Sequence, residues 1–534
     1  MKRKLLTALL CGALMLTSLA GCGQGAENQS GTSAGGESAV KDELVFVNYR
    51  DIRDLNPHLY AGEMYAQSIL YDTLVSNTSE GYVGCLAEDW TISEDGRTYT
   101  FNIRDGVTFS DGTPCDANAI LANFNAILEN RERHTWLEMM NLLVGVSAPD
   151  DDTFVIEMSE PYYPMLTELA CIRPFAMISP NCMIDGSTKD GVNGYIGTGP
   201  YVLTDFVTDE YAVFERNENY WGEKPAIRKI TVKVIPDNQT RIMALENGEI
   251  DLIFGKNMLD ADAISQYVDS DKFTVGLSDP TSTRHIVLNT THDILGDKSV
   301  RQALQHATNR QAISEGIFYG LEPAADTLYS TTVPYCDVDL EPYAYDADEA
   351  ARLLDEAGWT MGSDGVRAKD GQKLALDLLY NSDSVTEKTI SEYLQSEYLK
   401  LGISLNSHGE EEQSYRDNMK AGNFDMVFNI CWGMPYDPQS SLAAMRAPVY
   451  GDYAAQQGLE DKAEIDQAIT DILTSTDETK RQELYTFVLT RLHEDAVYIP
   501  LTFETNKALY TSDLKGVHFG TDQYDVDFAS MYFE

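Results

Sequence analysis

The stretch from Leu374 to Leu405 restricts the possible folds more than any other part of the chain. Leu374, Leu376 and Leu378 recur at the two-residue period of a strand. A helical pattern follows, with Ile390, Tyr393, Leu394, Tyr398 and Leu401 at core-facing positions, Gly402 as its stop, and Ile403 and Leu405 opening another strand. A strand, a helix and a second strand in this order form a parallel pair with a right-handed crossover. A chain built on such units is an α/β protein.

The same alternation runs through the body. Tyr99, Phe101 and Ile103 read as a half-buried strand, and Asp116 then caps a helix whose Ile120, Leu121, Phe124, Ile127 and Leu128 share one face. Ile230, Val232 and Val234 form a strand ended by Pro236, and a helix through Ile242, Met243 and Leu245 stops at Gly248. Ile250 to Gly255 reads as a short buried strand. One helix is expected from Ser299 to about Ile313, and another through Leu353, Leu354 and Ala357, closed by Gly358. At 534 residues, 43% of them hydrophobic, the chain outgrows a single core and supplies at least two.

Lys2, Arg3 and Lys4 precede an apolar run from Leu5 to Leu19, too short for a comfortable membrane span, which reads as a signal peptide over residues 1–21. Leu19-Ala20-Gly21-Cys22 resembles a bacterial lipobox, so Cys22 is expected to carry the lipid that anchors the exported protein to the cell membrane. Residues 22–41, rich in Gly, Ser, Ala, Gln and Asn, form the expected flexible tether. The 85 acidic residues outnumber 39 basic ones, for a net charge of -46, which sets aside nucleic acid and anionic lipid surfaces as ligands.

The remaining cysteines, Cys85, Cys115, Cys171, Cys182, Cys336 and Cys431, show no CxxC spacing. They read as separate buried thiols, with a Cys171–Cys182 disulfide as the alternative. The eight histidines form no HxxxH pair, and His493-Glu494 has Val497 where a zincin helix needs histidine. With no G-x-S-x-G elbow and no Walker A loop, an enzyme is disfavoured, and no built-in cofactor is expected.

Leu86-Ala87-Glu88-Asp89-Trp90, Phe101-Asn102-Ile103-Arg104-Asp105-Gly106-Val107, Gly197-Thr198-Gly199-Pro200-Tyr201 and Arg216-Asn217-Glu218-Asn219-Tyr220-Trp221 resemble signatures of the family-five extracellular solute-binding proteins. Leu55-Asn56-Pro57-His58-Leu59-Tyr60, Asn130 to Glu138, Trp221 to Ile227, Trp432 to Pro438 and Leu492 to Tyr498 are most similar to the nickel-importer branch of that family. The resemblance implies a two-lobed periplasmic-binding-protein-like fold with a hinged cleft, expected as a monomer. Lobe I would span residues 42–251 and resume at 498–534, with lobe II at 256–497. The hinge is expected near Leu252–Gly255 and Tyr498–Thr502. It further implies capture of a chelated transition metal, a nickel complex with a small organic chelator, for delivery to ABC permease and ATPase subunits. Uptake of di- or oligopeptides is the alternative. A surface enzyme, or a receptor partner that only reports its ligand, stands behind both.

The ligand-binding positions carried over from the resemblance are Arg133, Trp136, Arg173, Trp432 and Tyr436, with Met64 and Tyr415. Guanidinium forks suit carboxylates, and Trp and Tyr rings suit flat ligand faces. As residues alone, Trp136, Trp432 and Tyr436 equally suit a core, Arg133 a solvated helix end, and Arg173 an internal salt bridge. The relatives carry a metal-coordinating histidine where this sequence places Tyr450, so the metal ligand is unknown. Tyrosine, with an ordinary pKa of about 10, coordinates nickel poorly at neutral pH. His134 and His518 are the candidate substitutes.

Overall fold

The computed structural model describes residues 40–78, 81–256, 258–431, 438–520 and 524–534. A ten-stranded mixed sheet runs through this body. On one side, strand Glu43–Asn48 pairs in parallel with Lys229–Val234 and with Leu252–Phe254. On the other side, Ala375–Asn381 pairs in parallel with Ser404–Glu410 and Met426–Cys431, and helix Val385–Lys400 makes the crossover. That is the unit expected between Leu374 and Leu405; Ile390, Leu394 and Tyr398 are buried against it, and Gly402 takes a left-handed φ of 78° at the helix end.

The other expected elements are present where periodicity placed them. Strand Thr98–Ile103 belongs to a separate four-stranded antiparallel sheet with Ala87–Ile92, Leu143–Ser147 and Thr153–Met158. Helix Ala117–Glu129 starts at Asp116, whose carboxylate accepts from the Ala119 N–H at 2.9 Å. The helix expected from Ser299 to Ile313 is instead two, Lys298–Ala307 and Arg310–Ile317. Thr308 turns to an extended conformation, and Asn309 caps a new start by accepting from the Ala312 N–H at 2.9 Å. All six described cysteines are buried, and none is joined in a disulfide to another described cysteine, Cys171 and Cys182 included.

Two long antiparallel strands, Phe273–Leu288 and Tyr498–Thr511, carry the sheet from one lobe into the other. Phe273–Leu277 pairs with Lys507–Thr511, and Thr283–Val287 pairs with Tyr498–Phe503; between these ladders the register shifts twice around Pro280. Proline has no N–H to give a ladder and sits in sheets at bulges. Here the Asn506 N–H donates to the Ser278 hydroxyl at 2.8 Å instead. The ladder is thus interrupted at 278–282 and 504–506, whereas Leu252–Phe254 and Tyr498–Thr502, at the two places expected for the hinge, are paired strand segments. Leu252–Phe254 is an inner strand, and Met258, Leu259, Ala263 and Ile264 share a core with Val47, Ile242 and Leu509.

A buried ionic cluster surrounds the crossing. The Glu504 carboxylate, 3% exposed, meets Lys256 at 2.5 Å and also engages Arg284 and Ser282. Burial alone would raise its pKa, but Arg284 and Lys256 outweigh that and hold it well below the usual carboxylate range. Farther from the sheet, the loop after Thr153–Met158 touches the opposite helices. The Tyr163 N–H donates to the Leu473 carbonyl at 3.0 Å, and its hydroxyl lies 3.0 Å from that of Tyr335 and donates to Glu478 at 2.7 Å. The Tyr163 ring covers the fully buried Arg481 guanidinium at 3.4 Å.

Candidate functional site

Strand Glu43–Asn48 ends at a cavity of about 500 Å³. In open α/β sheets, ligands settle outside the carboxyl ends of the strands, and this cavity fits that rule. Arg50 and Arg53 follow the strand directly; Tyr60, Glu63, Met64 and Tyr65 come from the next turn and the start of helix Met64–Ser68. Arg133 and Trp136 arrive from the segment after helix Ala117–Glu129, and Arg173 from the turn preceding Pro174. Tyr524 closes another side.

Four guanidinium groups thus face one carboxylate, within a chain of net charge -46. Glu63 is already engaged, accepting from Arg50 Nε at 2.6 Å and from the Asn48 amide at 3.2 Å. Arg173 donates through Nε to Gln67 Oε1 at 2.7 Å and through its terminal nitrogen to the Gly62 carbonyl. The Arg133 guanidinium makes no hydrogen bond or ion pair among the described residues. Such a cluster is suited to an anionic ligand, because bidentate guanidinium–carboxylate contacts gain strength where water is excluded.

Trp136 is 45% exposed and is held by one anchor: its indole N–H donates to the Tyr60 hydroxyl at 2.7 Å. The Tyr60 hydroxyl also lies 2.6 Å from His134 Nδ1. Burial, aided by the Arg133 charge, lowers the His134 pKa to about 4 and favours the neutral ring. Its Nε2 has no partner among the described residues. His134 is fully buried, and its Nδ1 is engaged by Tyr60.

Of the positions named from the sequence, the structure brings Met64, Arg133, Trp136 and Arg173 into one cavity. Tyr415 is elsewhere: it is buried in the opposite lobe's core, and its hydroxyl donates to the Phe428 carbonyl at 2.5 Å. Trp432 and Tyr436 lie outside the described residues. Tyr450 precedes helix Gly451–Ala455, and burial pushes its phenol above the ordinary value, making a metal-binding phenolate harder to form. His518 is exposed and does not line the cavity. Among the described residues, no three His, Cys, Asp or Glu side chains are grouped to hold a metal ion. No described helix is long and apolar enough to cross a membrane.

Arg50, Arg53, Tyr60 and Tyr524 were not singled out from the sequence. The position of Arg50 and Arg53 just beyond the carboxyl end of an inner strand was the available signal.

The family model for bacterial extracellular solute-binding proteins, family 5 Middle, matches residues 81–452. The nickel-binding periplasmic protein of Escherichia coli (strain K12) is 41% identical over 499 residues, covering 92% of this chain and 95% of that protein. The dipeptide-binding protein of the same organism is 26% identical over 506 residues, covering 89% and 91%. NikA from Brucella suis, solved in complex with Fe(III)-EDTA, superposes with a TM-score of 0.89 at 43% identity, covering 92% of this chain and all of that one. The family is one of binding proteins rather than enzymes, with an α/β, two-lobed architecture matching the sheet described above. This chain belongs to the bacterial extracellular solute-binding proteins of family 5.

Proposed function

We propose that this chain captures a transition metal, nickel foremost, enclosed in a small carboxylate-bearing chelator, and passes it to the permease and ATPase subunits of an ABC importer. The observation that carries this reading is the cavity in which Arg133 and Arg173 stand beside Trp136 and Met64. The arginines would take the chelator's carboxylates, and the indole would cover its apolar face. Trp432 and Tyr436 would contribute from the other lobe as the two close. Two relatives above 40% identity support the ligand class: one is called nickel-binding, and the other holds Fe(III)-EDTA. With Tyr450 an unfavourable ligand, the chelator itself would supply the metal's donor atoms. Cys22 would anchor the exported body to the membrane through lipid.

A peptide ligand is the second reading, favoured by the dipeptide-binding relative and by the capacity of an arginine to hold a peptide's terminal carboxylate. Calorimetric titration of the chain lacking residues 1–22 separates the two. Nickel binding only when premixed with L-histidine or a polycarboxylate would establish a chelate carrier, while a response to dipeptides without metal would establish peptide uptake. Arg173→Ala is expected to weaken ligand binding more than about tenfold, the loss of a charge-assisted contact, with the circular-dichroism spectrum retained. An unchanged dissociation constant would remove Arg173 from the site.

A further inference from the structure

We propose that Arg53, which no family signature named above includes, forms a second anion subsite in this cavity. The bound chelate would then carry at least two separated anionic groups, one on Arg133 and Arg173 and the other on Arg53. This rests on the chelate reading and narrows it to polyanionic complexes.

Three observations converge on Arg53. First, its backbone is held at a left-handed φ of 56°, a conformation that costs a non-glycine residue energy and persists only where the surroundings enforce it. The enforcement is visible. Asp51 accepts from the Arg53 N–H at 2.8 Å and, through its other oxygen, from the Asp209 N–H at 3.1 Å. The Glu63 N–H donates to the Ile52 carbonyl at 3.0 Å. Gly62 packs so tightly that a Cβ there would stand 2.3 Å from the Asp54 carbonyl oxygen.

Second, the described carboxylates nearest Arg53 in sequence, with Glu63, are already engaged. Asp51 is bound to two backbone N–H groups, and Glu63 to Arg50 and Asn48. Asp54 accepts from the Asn56 N–H at 3.0 Å and from the Tyr195 hydroxyl at 3.1 Å. In a chain with more than twice as many acidic as basic residues, the Arg53 guanidinium still makes no hydrogen bond or ion pair among the described residues. Third, the loop is tied to the other anion-binding wall. The Gly62 carbonyl that accepts from Arg173 belongs to the residue packed on Asp54, so the Arg53 and Arg173 sides are fixed relative to each other.

The test titrates the wild type and Arg53→Gln with three probes: Ni(II)–EDTA, a dianion; Ni(II) bis-L-histidine, uncharged; and metal-free citrate. The wild type is expected to prefer the dianionic complex, and Arg53→Gln to weaken that complex by about tenfold or more while changing the uncharged one less than about twofold. Equal losses on both complexes, or no loss on the dianion, would overturn the subsite. If the wild type binds citrate but no nickel complex, the nickel reading fails while the subsite stands, provided Arg53→Gln weakens citrate. A wild type that binds neither anionic probe overturns the subsite.

Discussion

Replacing Tyr60 with phenylalanine removes a single oxygen from the centre of the Trp136–Tyr60–His134 chain, and the structure permits its two effects to be separated. The Trp136 N–H loses its acceptor, but at 45% exposure it is free to turn to water, so the cost in stability on that side is small. His134 cannot do the same. Fully buried, with Nε2 already unpartnered, it would be left with Nδ1 unpaired as well, at a cost of about 1–3 kcal/mol. The binding effect comes through Trp136, whose indole would have to be ordered by the ligand instead of by Tyr60. Immobilising such a side chain costs about 0.5–1.5 kcal/mol, or roughly two- to tenfold in affinity. Denaturant unfolding reads the first effect and calorimetric titration the second. A cycle with Trp136→Phe, which keeps an aromatic ring but has no N–H, isolates the link between them. If the tether matters, Tyr60→Phe weakens binding in wild type and not in Trp136→Phe. Equal effects in both backgrounds would refute the reasoning and leave Tyr60 as a packing residue.

Glu504→Gln should lower unfolding stability at neutral pH by about 3 kcal/mol, since it strips a partner from Lys256 and Arg284 in a buried cluster. Because the folded-state pKa of Glu504 is depressed, its contribution is complete above the unfolded value of about 4.3 and is lost as pH falls through the folded one. The gap between wild type and variant in denaturant melts should therefore narrow below about pH 4; a constant gap would contradict the pairing. Tyr163→Phe removes the hydroxyl that reaches Tyr335 and Glu478 while keeping the ring over Arg481. Small-angle scattering should show a more open ligand-free form, with affinity reduced about two- to fivefold by the loss of hydrogen bonding that favours closure. An unaltered scattering profile would count against a role in closure.

The sequence made the regular elements legible because their periods are strong. Leu374–Leu378 and Ile390–Tyr398 sit where alternation and helical spacing placed them. The hinge was less legible: a short apolar run such as Ile250–Gly255 reads alike in the interior of a lobe and between lobes. Pro280 was the informative residue, but its meaning depends on two strands far apart in the chain, Ser282 hydrogen bonding to Glu504, 222 residues on. The cavity was legible at Met64, Arg133, Trp136 and Arg173 through the family resemblance, whereas Arg50 and Arg53, flanked by Tyr49, Asp51 and Asp54, looked like ordinary loop charges. Tyr415 shows the converse difficulty. An aromatic residue on a helix reads alike whether it covers a ligand or fills a core, and only its bond to Phe428 distinguishes them.

The interruption around Pro280 would give the protein a mechanical flexure instead of a pair of loose linkers. Paired segments flank it on both sides, the Thr283–Val287 side carrying its own shift between Arg284 and His285, so bending of the sheet would fall first on the dihedrals at 278–282 and 504–506. Amides there have the fewest ladder bonds to lose, whereas Lys507–Thr511 is paired in unbroken register with Phe273–Leu277. Solvent exchange at this short stretch, Pro280 excepted for want of an N–H, would then record the opening and closing of the cleft without any label at the ligand site.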